Sequence, residues 1–443
     1  MVRAVVDEKK KKKKKKTSGK KKATGFEEYF CEPPMTPAEH EEEKTVIYPP
    51  HRSFVDRIED CIQRYRARRR LDPERERLFS QYLTLGGIDA TVRQFQSSAK
   101  IGPETLEDSS KTAIREMIAD DVIHRGDEDP SCSRFYNPNF PEHWEVDFTG
   151  IASGFLSEHL VSTVGYDIEM IAMAADVVGN FLKYVTHHDV CPEYEQDISS
   201  ALDVCERAVE ESASILAIWD RLPSHFATCL RVLKCEGDDE QDIISAEGVS
   251  ETVTHPHAVN TVAAVASILV PELAKAAAAQ HDWKVVDTSS HSFEICKINL
   301  PDDAAKAKLQ AINLYSPKYP NIEACGTFTA NWITIEDGWD RPPLRSSIPL
   351  RVPEEIEFVV EESILSLLKV GMKLTLEVCT TSVGWRFIKS FKDIKPSYYT
   401  FLPQELMAGF KHPILSERPG PSVHDDQDEF NINEVPMGDV DED

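Results

Sequence analysis

The sequence predicts an α+β protein. Its N-terminal half is mainly helical, its C-terminal part carries a mostly antiparallel sheet with helices, and both ends are disordered charged tails. Three observations predict this. Apolar residues recur at helical spacing from Phe54 to Trp219, β-branched and aromatic runs follow from Trp283, and the two termini are rich in charge, basic at one end and acidic at the other. At 443 residues and 41% apolar composition, the chain can build a sizeable core in its middle.

The first element is a tail. Lys9, Lys10, Lys11, Lys12, Lys13, Lys14, Lys15 and Lys16, then Lys20, Lys21 and Lys22, form two basic clusters split by Thr17-Ser18-Gly19. Like charges repel and nothing apolar is at hand, so residues 1–24 are expected to be disordered. The two clusters suit nuclear import, with a nucleic-acid tether as a second reading and a plain solvated tail as a third. Residues 25–52 form an arm rich in Glu and Pro, largely extended, with one short helix from Thr36 where Pro37 sits at the first helical position. Phe26, Tyr29 and Phe30 have few apolar neighbours in this arm. They are candidate anchors for a groove on a partner, or the arm packs back on its own domain.

Ser53 caps a helix with Phe54, Ile58, Cys61, Ile62 and Tyr65 on one stripe. Asp72-Pro73 starts a second helix, which stops at Gly86-Gly87. Arg64, Arg66, Arg68, Arg69, Arg70, Arg75 and Arg77 straddle the joint between them. In an acidic protein this island either grips phosphate or an acidic partner, or is a solvated face neutralised by Glu59, Asp60, Glu74 and Glu76. A helix near Lys111 to Ile123 and a loop through Asn137-Pro138-Asn139 come next. Trp144 to Phe148 alternates as a short strand or an extended packing arm. Two long amphipathic helices follow, one from Asp167 to Val185 and one from Ile198 to Trp219 after Pro192.

Residues 236–252 are acidic and poor in apolar groups, which makes them the best internal boundary. Beyond them lies an Ala- and Val-rich helix, Ala258 to Gln280. Trp283 to Asp287 and Phe293 to Cys296 read as a hairpin around a polar turn. Thr327 to Ile335, Ile356 to Val360, Leu374 to Cys379 and Trp385 to Phe391 read as strands, with a short helix from Ser363 to Lys369. The expected organisation is therefore a tail at 1–24, an arm at 25–52, a mainly helical region at 53–240, a linker at 241–254, an α+β region at 255–415 and an acidic tail at 416–443.

Charge narrows the function. The first 24 residues hold 12 basic and 2 acidic residues, which leaves 38 against 74 in the rest, a body charge of −36. Such a body repels phosphate and suits a basic protein partner, although acidity also simply keeps a protein soluble. The ten cysteines contain no CxxC pair, and the charged start has no apolar signal-peptide core. Reduced thiols in a reducing compartment are expected, with Cys205 packed as a small hydrophobe. The longest apolar stretch, Ala258 to Val270, is too short to span a bilayer, so no membrane is expected among the partners.

No P-loop, GxGxxG, GxSxG or HExxH motif occurs. The compact histidine clusters, His187-His188-Asp189 and His255-Pro256-His257, lack a third ligand at helical spacing. No cofactor, no metal and no catalytic residue is expected, and the chain reads as no enzyme. Tyr398, Tyr399 and Phe401 beside Lys395 have the outline of a base-stacking surface, but core packing after the last strand is the better account.

Several long stretches, in order, carry a resemblance. They are Gly25 to Ile47, Phe54 to Phe95, WEVDFTGIASGFLS from Trp144, DWKVVDTSSHSF from Asp282, and Met372 to Met407. Together they resemble the fungal Argonaute-binding family that forms one subunit of the Argonaute siRNA chaperone complex. The resemblance spans roughly residues 25–410. It implies a non-enzymatic protein that binds Argonaute together with a second Argonaute-binding subunit. Argonaute would be held with duplex small RNA before the passenger strand leaves, in RNAi-directed heterochromatin assembly, with RNA contacted indirectly through Argonaute. It assigns no catalytic or RNA-contacting residue. The alternative is a nuclear protein that binds RNA or chromatin directly through its basic tail and Arg-rich helix pair.

Overall fold

The computed structural model describes residues 36–69, 71–88, 136, 144–234, 241–244, 250–270, 283–315, 321–336 and 355–402. The tails, Phe26, Tyr29, Phe30, Arg70, the expected helix at 111–123 and the stretch 271–280 lie outside these residues.

Thr36 starts α1 (Pro37–Glu42) through a reciprocal cap: Glu39 N–H donates to the Thr36 hydroxyl, and Thr36 N–H donates to the Glu39 carboxylate. The chain then widens into a π turn, Glu43–Ile47, closed by Tyr48 N–H on Glu43 O at 2.8 Å. The sequence reading makes this arm largely extended, yet from Pro37 to Ile47 it is helical. The cap supplies the nucleus, and the wide turn aims Glu43 inward, where only 6% of it stays exposed.

Helices α2 (Phe54–Arg68) and α3 (Pro73–Leu85) begin at Ser53 and Asp72, whose side chains accept the first-turn amides. Their apolar stripes meet at Tyr65, whose ring lies 5.3 Å from Phe79, 5.4 Å from Phe181 and 5.2 Å from Tyr184. Residues 144–147 run extended, as a packing arm rather than a strand, because Asp147 already caps α4 (Phe148–Gly154). A second π turn (Phe155–His159) leads into α5 (Leu160–Val164). Asp167 caps α6 (Ile168–His187), and a 3₁₀ turn at Pro192–Tyr194 leads into α7 (Glu195–Trp219). The Asp197 carboxylate on α7 takes the Phe148 and Thr149 amides, which locks α4 onto α7.

Helix α8 (His225–Lys234) precedes a two-stranded ribbon, β1 (Gln241–Ile244) with β2 (Ser250–Val253), inside the stretch expected to be a linker. Helix α9 (His255–Leu269) follows and ends at Val270, before Pro271. The rest is a sheet: β3 (Val285–Asn299), α10 (Asp303–Tyr315), β4 (Cys325–Ile333), β5 (Ile356–Glu361), α11 (Glu362–Leu365), β6 (Lys373–Thr381) and β7 (Arg386–Lys395). Strand order is β5-β4-β3-β6-β7, antiparallel throughout.

Two features of this part differ from the sequence reading. The hairpin expected within Trp283 to Cys296 is one unbroken strand, since Thr288 to Ser292 pair with Cys379 to Thr375 on β6. Hydroxyls that look like turn chemistry instead bond across strands, as Ser292 does with Thr375 at 3.1 Å. Helix α10 was not foreseen, although Asp302 caps it by accepting from Ala305 N–H at 2.7 Å.

Packing ignores the acidic composition dip. The first core joins α2, α3, α4, α6 and the N-terminal part of α7. The second lies under the sheet and takes Ile215 and Ile218 from the far end of the same α7. The third gathers α8 and α9 around Trp283 and Phe387. The last described residues then return to the helices: Ser397 N–H donates to Glu211 at 2.7 Å, and Tyr398 completes the first core.

Candidate functional site

The arm joins the helical core at a charged joint. Glu43 accepts from Arg64 at 2.8 Å and pairs with His188 Nδ1 at 2.5 Å, with Arg68 at 3.5 Å. Burial opposes ionisation of this carboxyl, but His188, Arg64 and Arg68 outweigh it and hold its pKa down at about 2. At the rim, Asp189 pairs with His40 at 3.1 Å and Lys44 at 3.8 Å. Asp189 takes a left-handed conformation (φ 49°) as the chain leaves α6.

The arginine island is thus turned largely inward. Arg64 and Arg68 hold Glu43, Arg66 pairs with Glu76 at 3.0 Å, and Arg75 with Asp72 at 3.0 Å. Arg69 lies over Tyr65 and Tyr184 at 5.7 and 5.5 Å. Neutralisation by nearby acids was foreseen for Glu76. Glu43, more than twenty residues upstream and a partner of both Arg64 and Arg68, was missed: in sequence it is one glutamate in the run Glu41 to Glu43.

Beside the joint, Trp144 donates to Gly86 O at 2.9 Å and stands against Gly87, whose φ of 80° no larger residue adopts easily. Trp144 closes one side of an apolar recess with Phe54, Ile58, Tyr82, Ile88 and Phe148. The supposed stacking surface is core: Tyr398 and Tyr399 are each 6% exposed, and Lys395 covers the Tyr399 ring at 4.7 Å. Cys205 is buried, and burial pushes its thiol up to about 12.

The structure also brings together ligands that are distant in sequence. His257 lacks a third ligand along the chain, yet in space it stands beside His225 and Cys229. His225 and Cys229 stand at helical spacing, but no spacing rule links them to residue 257, so the sequence carries no signal for the whole cluster.

The described protein is thus a scaffold of packed helices, a short two-stranded ribbon and a five-stranded antiparallel sheet, with its arm latched by buried charge. Compared with known proteins, the chain belongs to the Arb1 family, the Argonaute siRNA chaperone (ARC) complex subunit Arb1, whose sequence model matches residues 14–413. It is 31% identical over 210 residues to Argonaute-binding protein 1 of Schizosaccharomyces pombe, over 47% of this chain. The matched part spans 48%, about half, of that curated relative. No solved structure matches the chain. Among the described residues, no helix is long and apolar enough to cross a membrane.

Proposed function

We propose that this protein is a non-enzymatic subunit of an Argonaute siRNA chaperone complex. It binds Argonaute loaded with duplex small RNA, alongside a second Argonaute-binding subunit, and restrains release of the passenger strand during RNAi-directed heterochromatin assembly. RNA is reached through Argonaute. The observation that carries this reading is the family match over residues 14–413, which takes in the arm and all three cores. The same membership supports the non-enzymatic reading, since the family is described as a chaperone-complex subunit.

The charge distribution supports the same reading. A body of −36 favours a basic protein surface over direct contact with phosphate, and the inward arginines point the same way. The basic clusters of residues 9–22 suit carriage into the nucleus, where such silencing would act. Affinity purification of the tagged full-length chain with mass spectrometry tests the proposal. Argonaute carrying double-stranded small RNA should co-purify in stoichiometric amount. Recovery without Argonaute overturns it.

A further inference from the structure

Three ligand-type side chains converge where α8 meets α9. His225 and Cys229 stand one turn apart on α8, and His257 lies in the first turn of α9. One donor atom from each lies within 4.8 Å of the other two. The His225 and His257 Nε2 atoms are 2.9 Å apart, and Cys229 Sγ is 4.0 Å from the His225 ring nitrogens. Tetrahedral zinc, at about 2.0 Å from nitrogen and 2.3 Å from sulfur, sets its ligands roughly 3.3–3.6 Å apart. The His225–His257 and His225–Cys229 separations each lie within about half an ångström of that spacing.

We propose that His225, Cys229 and His257 form a zinc site whose fourth position is taken by water. The donor set chooses the metal: one thiolate with two imidazoles suits zinc, whereas the absence of carboxylate donors disfavours magnesium and calcium. The setting is enclosed on the protein side, with Cys229 at 0% and His257 at 3% exposure, while His225 is only half-buried and leaves one side of the site accessible to water. An outer group steadies one ligand: the Thr261 hydroxyl bonds the Cys229 sulfur.

Glu361, 3% exposed, accepts from Phe226 N–H at 2.6 Å and from the Ser224 hydroxyl, which holds the start of α8 against β5. On binding, the metal replaces the Cys229 thiol proton, which passes to solvent, and both histidines bind as neutral imidazoles. Such a site would staple α8 to α9 across the third core, on either side of the β1–β2 ribbon.

Elemental analysis of the full-length chain, purified without a polyhistidine tag, tests this. About one zinc per chain is expected, with a fall of at least about fivefold in Cys229→Ser and in His257→Asn. Cys296→Ser, at an exposed cysteine, should retain its zinc. Cobalt added to the metal-stripped wild-type chain should give a thiolate-to-cobalt absorption band, a readout that does not depend on either variant folding. Wild-type protein with neither zinc nor the cobalt band overturns the proposal. So does zinc retained in full by both ligand variants.

Discussion

At the residue scale, Glu43 sets the behaviour of the arm. Its carboxylate is buried among three cationic or ionisable partners, so removing its charge leaves Arg64, Arg68 and His188 facing one another. Glu43→Gln should release the arm at a cost on the order of 3 kcal/mol. Hydrogen-exchange mass spectrometry should then show faster exchange across residues 37–48, with the second core unchanged. A pH dependence follows. The folded carboxyl titrates at about 2, against 4.5 when unfolded, so its contribution is complete above about pH 5 and is lost as pH falls from there through about 2. Arm protection in the wild type should decline over that window. In Glu43→Gln the decline over that window should be much shallower, leaving only what protonation of the Glu39 cap contributes.

Elements show where local chemistry yields to pairing. Strand β3 sits at the centre of the sheet, and Phe293 is fully buried there, 5.2 Å from Trp332 and 5.3 Å from Phe358. Phe293→Ala should destabilise the sheet by about 3–5 kcal/mol, read as a lower urea midpoint by intrinsic fluorescence. The end of α3 depends on a different property. At Gly87 a Cβ would lie 2.5 Å from Trp144 Nε1, on a backbone with φ of 80°. Gly87→Ala should therefore cost about 2–3 kcal/mol and break the Trp144 bond to Gly86. A red shift in tryptophan emission at neutral pH would report that Trp144 has swung into water.

For the whole molecule, the predictions concern the segments outside the cores. Deleting residues 1–24 should shift a fluorescent fusion towards the cytoplasm, and an unchanged distribution would remove the import reading. Changing Phe26, Tyr29 and Phe30 together to Ala should cut Argonaute co-purification sharply while leaving thermal melting near wild type. A large fall in melting temperature would instead mean that the arm packs on its own protein. The described part of the arm, from Thr36 to Tyr48, does pack that way, which leaves the question to these three aromatics. A chain lacking residues 1–24 should bind RNA weakly, with little salt dependence, because its arginine joint is already paired within the protein.

Much of this protein is set by sequence alone. Caps at Thr36, Ser53, Asp72 and Asp167 are local, since a side chain reaches its own helix's first amides wherever the helix later packs. The α+β class and the strands at 356–361, 373–381 and 386–395 are legible for the same reason, because periodicity is a property of neighbours. The family resemblance is equally a matter of linear order. Tertiary structure decided the rest. Whether Thr288 to Ser292 turns or extends depends on β6, more than eighty residues away. Glu43 is set apart from its neighbouring glutamates only by the fold, which places His188, 145 residues on, against it. Charge pairs and converging ligands act through space over a few ångströms, and sequence separation carries no record of that distance.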